Sequence, residues 1–415
     1  MPLKRLMAEN IKKDSMRKLT KRIVVGIFCL GLMASNSLWA DIYHYKELLV
    51  GDRGANLAGA YSAVADDAAG AYYNPAGLVY GAKKSMVGIS NATNFVYNDY
   101  QKSVGNESQL MEGWRYLINF AGYMKRVGDA VIGISYVIDD STELHQDQEF
   151  DNNVVINRRS DDRTYKYGPS YATFLTDKVS WGITLYAFQR QYDSQVNRLI
   201  NTGDASADWR FDNTRGDEFG LHLRTGLMYA PADEWSLALV LKRTFLSHSV
   251  EEVQVNEKDS STTEITYSTD TTNEFRKMPL EITFGWAWFP SAYTMVTSDI
   301  DYYLLNEDDR INVLNISFGV EHFLNEENVI RAGIFTNFDN REEPDSSTTN
   351  AEKIDMYGMS LGYSIFNGPT MITVGAVGGY GRGKIQSDPD NPTEVHDSIR
   401  EAYSFSLAVS YNLDN

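Results

Sequence analysis

The chain has 415 residues, 43% of them apolar, a single cysteine and a formal charge of −18. The first forty residues hold eight of the 38 Lys and Arg and two of the 56 Asp and Glu, leaving 30 basic against 54 acidic groups and a net −24. So acidic a chain excludes a nucleic-acid-binding protein. With Cys29 inside the leader described next, the rest carries no disulfide, thiol chemistry or Cys-based metal site.

Met16–Ala40 has the build of a secretory signal. Arg17, Lys18, Lys21 and Arg22 form a basic n-region, Ile23–Ala34 an apolar core, and Ala40 a small residue at the expected cut. The core is too short to cross a membrane, which takes about 20 residues. Residues 1–15 either extend the n-region or precede a later start, so the leader is assigned to residues 1–40. Next comes Gly51–Leu78, GDRGANLAGAYSAVADDAAGAYYNPAGL. Between Leu57 and Ala71 it holds seven alanines, two glycines and no Lys or Arg. Leu57, Tyr61, Val64 and Ala68 fall at helical spacing, predicting an amphipathic helix with small residues for close approach. Asn74-Pro75 stops it, because the residue before proline is pushed out of the α region.

From Lys84 onward period-two alternation replaces the helical signal. Tyr403, Phe405, Leu407, Val409 and Tyr411 point one way, and Ser404, Ser406, Ala408, Ser410 and Asn412 the other. Comparable runs include Ile132/Ile134/Tyr136/Ile138, Leu237/Leu239/Leu241, Ile282/Phe284/Trp286/Trp288, Leu314/Ile316/Phe318 and Tyr357/Met359/Leu361. A soluble sandwich would turn large apolar residues inward and charges outward. Here the non-hydrophobic face is small and mildly polar, which suits a filled lumen with lipid outside. Tyr, Trp and Phe gather near strand ends, as interfacial girdles do. The expectation is an all-β membrane protein, a roughly 14-stranded antiparallel transmembrane β-barrel over residues 83–415. Short connections at Lys125–Asp129, Thr176–Lys178 and Pro231–Asp233 are expected to alternate with long polar loops. Those loops are Asp139–Arg163, Asp193–Gly216, Ser249–Asn273, Asn340–Lys353 and Gly383–Ser398.

No catalytic set emerges. The six histidines lack ligand spacing, and no GxSxG, HExxH or phosphate loop occurs. The acidic clusters Asp139-Asp140, Asp161-Asp162, Glu307-Asp308-Asp309 and Asp388-Pro389-Asp390 do not match an EF-hand loop and read as solvated loop tips. No enzyme activity, cofactor or metal is expected.

Arg53, the small-residue run, Asp66-Asp67 and the closing Asn74-Pro75-Ala76-Gly77-Leu78 together resemble the N-terminal plug segment of the FadL family. These are transporters of long-chain fatty acids and aromatic hydrocarbons in the Gram-negative outer membrane. The resemblance implies that residues 41–82 form a helical plug inside the lumen of a monomeric barrel. It implies passive passage of a long-chain fatty acid or other hydrophobic molecule, and a setting of outer-membrane lipid and lipopolysaccharide. It also implies lateral exit through a kinked strand, and a plug that shifts at Asn74-Pro75-Ala76 to open the route. An amphipathic ligand then needs an apolar tunnel with one or two cations for its head group. His222, Arg224 and Lys242 on the interior phase qualify, as does Arg53. Each is alternatively a structural ion-pair partner, Arg53 with Asp66 or Asp67, because a confined charge is usually paired. Related barrels serve as secretion scaffolds, so a non-transporting surface scaffold is the alternative.

Overall fold

The computed structural model describes residues 43–46, 48–81, 84–104, 106–151, 153–201, 207–258, 264–305, 310–345, 352–386 and 394–413. The signal at 1–40 and the acidic clusters at 307–309 and 388–390 lie outside them. Fifteen strands are described: β1 Ser85–Val104, β2 Glu107–Val127, β3 Ala130–Glu149, β4 Val154–Thr176, β5 Val179–Asn201, β6 Ala207–Ala232, β7 Trp235–Lys258, β8 Thr266–Thr272, β9 Leu280–Ser291, β10 Thr294–Leu304, β11 Val313–Asn325, β12 Asn328–Asn337, β13 Glu352–Asn367, β14 Thr370–Ile385 and β15 His396–Asn412. Every pairing is antiparallel. β1 closes on β15 from Met86↔Asn412 to Tyr100↔Ser398, and β7 pairs with β6 on one side and β9 on the other. Fourteen strands therefore make a closed ring, and β8 is an extra strand on the outer half of β7.

Closure removes the unpaired strand edges that hydrocarbon would not tolerate. The alternation read from the sequence is the wall's inside and outside. Ile132, Ile134, Leu239, Leu241, Phe284, Leu314, Ile316, Phe318, Met359, Leu361, Leu407 and Val409 face outward and are exposed, whereas Ser90, Asn94, Ser180, Thr184, Asn315, Ser317, Ser360 and Thr373 are buried inside. This apolar-out, polar-in inversion is the signature of a barrel solvated by lipid. At one end the connections are two-residue turns, among them Gly128-Asp129 and Gly368-Pro369, whose glycines take positive φ.

Three of the expected loops are largely strand. Asp139–Arg163 belongs mostly to β3 and β4, Asp193–Gly216 to β5 and β6, and Ser249–Asn273 to β7 and β8. Spanning needs about 9–11 residues, so β4–β7 run roughly 40 Å farther along their own axes. Beyond the lipid the outer face of a strand meets water, although part of the inner face stays buried, as at Thr142, Gln146 and Ile156. Side chains there need not alternate in hydropathy, and a polar strand then reads as loop.

The plug also departs from expectation. The single helix from Leu57 to Ala71 is absent. Instead the chain makes α1 (Arg53–Asn56), α2 (Gly70–Tyr73), a 3-10 turn at Pro75–Gly77 and α3 (Leu78–Gly81). Ala58 (φ 56°), Gly59 (φ 81°) and Ala65 (φ 42°) lie in the left-handed region and break the helical path. Leu57, Tyr61 and Leu78 are nonetheless fully buried against the wall. What the alanines provide is contact between backbones. A Cβ on Gly333 would come within 2.7 Å of the Ala58 Cβ, and one on Gly319 within 2.9 Å of the Leu57 carbonyl oxygen. Gly182 and Gly226 are packed tighter still, against the Pro75 backbone and the Asn74 side chain.

Candidate functional site

The plug enters at the long-loop end of the barrel. Asn340 N–H donates to the Tyr43 carbonyl (3.1 Å), and the Tyr43 ring lies 3.9 Å from the Arg341 guanidinium and 5.1 Å from that of Arg310. Tyr45 stacks on Tyr303 with centroids 4.2 Å apart. The chain then descends to the two-residue-turn end, where it joins β1.

Midway, Arg53 forms an ion pair with Asp66 and a bidentate pair with Glu321 of β11 (2.9 and 3.1 Å). The same carboxylate receives Arg331 Nε at 2.5 Å, and the Arg331 side chain is fully buried. One wall glutamate thus joins a plug arginine to a wall arginine. Of the two partners expected for Arg53, the structure uses Asp66. The Asp67 Oδ1 accepts from Ala69 N–H (2.8 Å), while its Oδ2 is sealed from solvent. Burial and the nearby Asp52 carboxylate push the Asp67 pKa well above its usual 3.8. The folded state therefore binds more protons than the unfolded chain above pH 3.8, and stability falls as pH rises until the raised pKa is passed. Asp67→Asn should remove this dependence and raise the unfolding temperature at neutral pH. Melting curves at pH 5 and 8 check it, and an unchanged slope would contradict the assignment.

Asn74 sits at the turn of the plug. Its Nδ2 donates to the Ser62 carbonyl (2.8 Å) and reaches the Leu227 carbonyl of β6 (3.5 Å), and its Oδ1 accepts from Ala76 N–H (3.1 Å). Pro75 opens the 3-10 turn, and the Ala76 carbonyl accepts from Ser180 Oγ (2.8 Å). The corner is tied to β5 and β6 by few bonds.

His222, Arg224 and Lys242 all point inward, as expected. His222 is buried between Thr244 Oγ1 (2.8 Å) and Arg224 Nε (2.9 Å). Arg224 donates to the Tyr72 carbonyl, lies 3.9 Å over the Tyr72 ring and reaches Asp139 at 4.0 Å. Lys242 is held loosely, 3.6 Å from Glu281 and 3.7 Å from Asp301. Arg224 and Lys242 line a cavity of about 120 Å³ between plug and wall, which His222 only backs.

This chamber is not the apolar tunnel expected. Tyr72, Tyr73, Tyr303 and Phe188 supply rings, but Lys46, Lys166, Asp139, Asp299 and Asp301 also line it. Lys46 bridges to Asp301 and Lys166 to Asp139, each at 2.5 Å. Asp299 Oδ2 accepts the plug amides of Tyr61 (3.2 Å) and Ser62 (3.0 Å). Asp299 and Asp301 escaped the sequence reading, although they flank the outward Ile300 and so fall on the interior phase of β10.

Beside the chamber the wall is broken. The β2–β3 ladder is interrupted between Glu112↔His145 and Phe120↔Val137. The Asp139 carbonyl there accepts from plug Leu48 N–H (3.1 Å), and Asn119 Nδ2 donates to the Leu49 carbonyl (3.0 Å). A bulge at Ile138/Asp140 shifts the β3–β4 register. Ile138, expected to face outward, still pairs with Tyr165 just before the shift, yet it is buried in the apolar cluster that includes plug Leu48. Leu48, Leu49, Asp139 and Asp140 line both chamber and seam.

These features define a closed fourteen-stranded β-barrel with a lumenal plug, the architecture of FadL-type transport channels. The similar solved structures include the Pseudomonas putida toluene transporter TodX (TM-score 0.70, 12% identity, 90% of this chain and 100% of that one). A Pseudomonas aeruginosa FadL homologue matches at TM-score 0.64 and 12% identity over 88% and 100% of the two chains. The Ralstonia pickettii toluene transporter TbuX matches at 0.61 and 11% over 88% and 98%. At such identities the likeness establishes the fold. No family model matches the sequence, and no curated protein does.

Proposed function

We propose that the protein is an outer-membrane channel, not an enzyme, that passes hydrophobic or amphipathic small molecules by diffusion. Long-chain fatty acids are the first candidates and toluene-like aromatics the second, by likeness to the channels above. The observation that carries this reading is the adjacency of a ring-lined, cation-bearing chamber to an interrupted wall seam. A ligand entering from the long-loop end meets Arg224 and Lys242 with its polar end, backed by His222, and tyrosine rings with its body. It leaves sideways at the β2–β3 seam once Leu48-Leu49 releases Asp139 and Asn119. The Asn74-Pro75-Ala76 corner is the part that moves, and Arg53 with Asp66 and Asp67 belongs to the part that holds. A monomer would suffice. Uptake of labelled oleate and toluene is the test, in cells expressing wild type, Asn74→Ala or an empty vector. Wild type should exceed the empty vector for at least one ligand. Asn74→Ala, stripped of three hydrogen bonds, should be leakier. Equal uptake by wild type and empty vector for both ligands would remove the transport reading.

The projecting sheet of β4–β8 favours a second reading, a surface scaffold. A stoichiometric protein partner on co-purification, with no small molecule in the chamber, would support it.

A further inference from the structure

On the outer wall, away from the chamber, four strands form a trough of about 550 Å³, inside the roughly 300–1,000 Å³ range of ligand pockets. The register explains it. Tyr123 of β2 pairs with Ile134 of β3, and Ile134 with Pro169 of β4; one step toward the two-residue turns, Lys125 pairs with Ile132, Ile132 with Tyr171, and Tyr171 with Ile183 of β5. Pro169 is the low point. Its compact ring faces outward between Ile134 and Leu185, and the β4–β5 ladder skips it because proline has no N–H to give. Tyr171 stands at the end of the trough nearer the turns and Lys125 closes that end, with Tyr123 one step farther, level with Pro169.

We propose that this trough binds one phospholipid of the leaflet at the two-residue-turn end, with an acyl chain along Pro169 and the headgroup phosphate on Lys125. Two observations choose this occupant. The lining is continuous with the outward apolar band that the membrane solvates, so hydrocarbon already lies against it. Lys125 is exposed at its rim and forms no salt bridge among the described residues, leaving its ammonium for a phosphate. Tyr171, in the row of Lys125, sits on the side where ring hydroxyls meet the interface. The proposal rests on the membrane-barrel reading but not on transport.

The test is native mass spectrometry of the detergent-purified full chain titrated with palmitoyl-oleoyl phosphatidylglycerol. Wild type should keep one phospholipid at collision energies that strip the others. Pro169→Phe fills the trough and should abolish that retention. Lys125→Glu should weaken it at least about fivefold, the scale of one interfacial cation, and Lys125→Arg should restore it. Equal retention by all four proteins overturns the site, as does a wild type that holds detergent or added toluene there instead of phospholipid. A wild type that inserts into liposomes but retains no phospholipid overturns the trough alone. A chain that stays soluble without detergent overturns the barrel reading beneath it.

Discussion

Glu321→Ala should be the most damaging single change in the lumen. It takes the shared carboxylate from two guanidiniums at once, the mostly buried Arg53 of the plug and Arg331 of the wall, whose side chain has no solvent exposure. Breaking a buried pair by removing one partner typically costs about 3–5 kcal/mol, because the remaining charge has no water to turn to. Arg53 keeps Asp66, so the plug's own turn survives while its tie to β11 is lost. The expected result is a lower unfolding temperature in detergent together with a raised baseline conductance in planar bilayers. Replacing Glu321 and Arg331 together by methionine should recover much of the stability but not the seal, since the wall half of the charge set is then gone. A Glu321→Ala protein that melts like wild type would show that the triad holds nothing.

Gly226→Val, or Gly182→Val, should dislodge the plug corner by shape alone. A side chain at 226 has no room beside the Asn74 carboxamide, nor one at 182 beside the Pro75 backbone. Overpacking of this kind costs about 1–3 kcal/mol when neighbours can shift. Here the neighbour that shifts is the corner itself. Limited proteolysis of protein in liposomes should cut the variant within residues 66–81 while wild type resists. Gly378→Ala is the control, since its Cβ would meet nothing nearer than 3.4 Å. Similar cleavage of all three proteins would mean that wall glycines do not set the plug's position.

Most of the barrel was legible because lipid imposes a strict rule on the wall. Wherever a strand crosses hydrocarbon its outward side chains must be apolar, and Phe405/Leu407/Val409 or Leu314/Ile316/Phe318 show it plainly. The same rule explains the failures. Val250–Lys258 and Thr266–Thr272 lie beyond the lipid, so backbone pairing continues without any hydropathy pattern to betray it. Ile138 read as outward, and its burial beside the bulge leaves no mark on composition. Inside the plug, alanine's high helix propensity pointed to a helix, but Ala58 and Ala65 adopt φ values that helices forbid. Tertiary contact with the wall glycines overrides a preference worth only tenths of a kcal/mol per residue. Of the candidate site, the inward charges His222, Arg224 and Lys242 could be placed by phase. Their partners could not. Which carboxylate meets which cation across the lumen depends on strand stagger, and one chain's pattern does not encode stagger legibly.

The course of residues 43–81 constrains how the molecule is built. This stretch is held near the long-loop end by Asn340 and Arg341, yet it joins β1 at the opposite end beside Arg126. It therefore runs the length of a tube whose seam, β1 on β15, unites the first and last strands to be synthesised. Threading it in after that seam has zipped would mean passing a tyrosine-bearing segment lengthwise along a closed bore and seating it against wall glycines that leave no room for a Cβ. A segment already lying in the groove of a still-open sheet, with the hoop bending shut around it, avoids that passage. The glycine-studded inner wall is then as much a mould for assembly as a rest for the finished stopper.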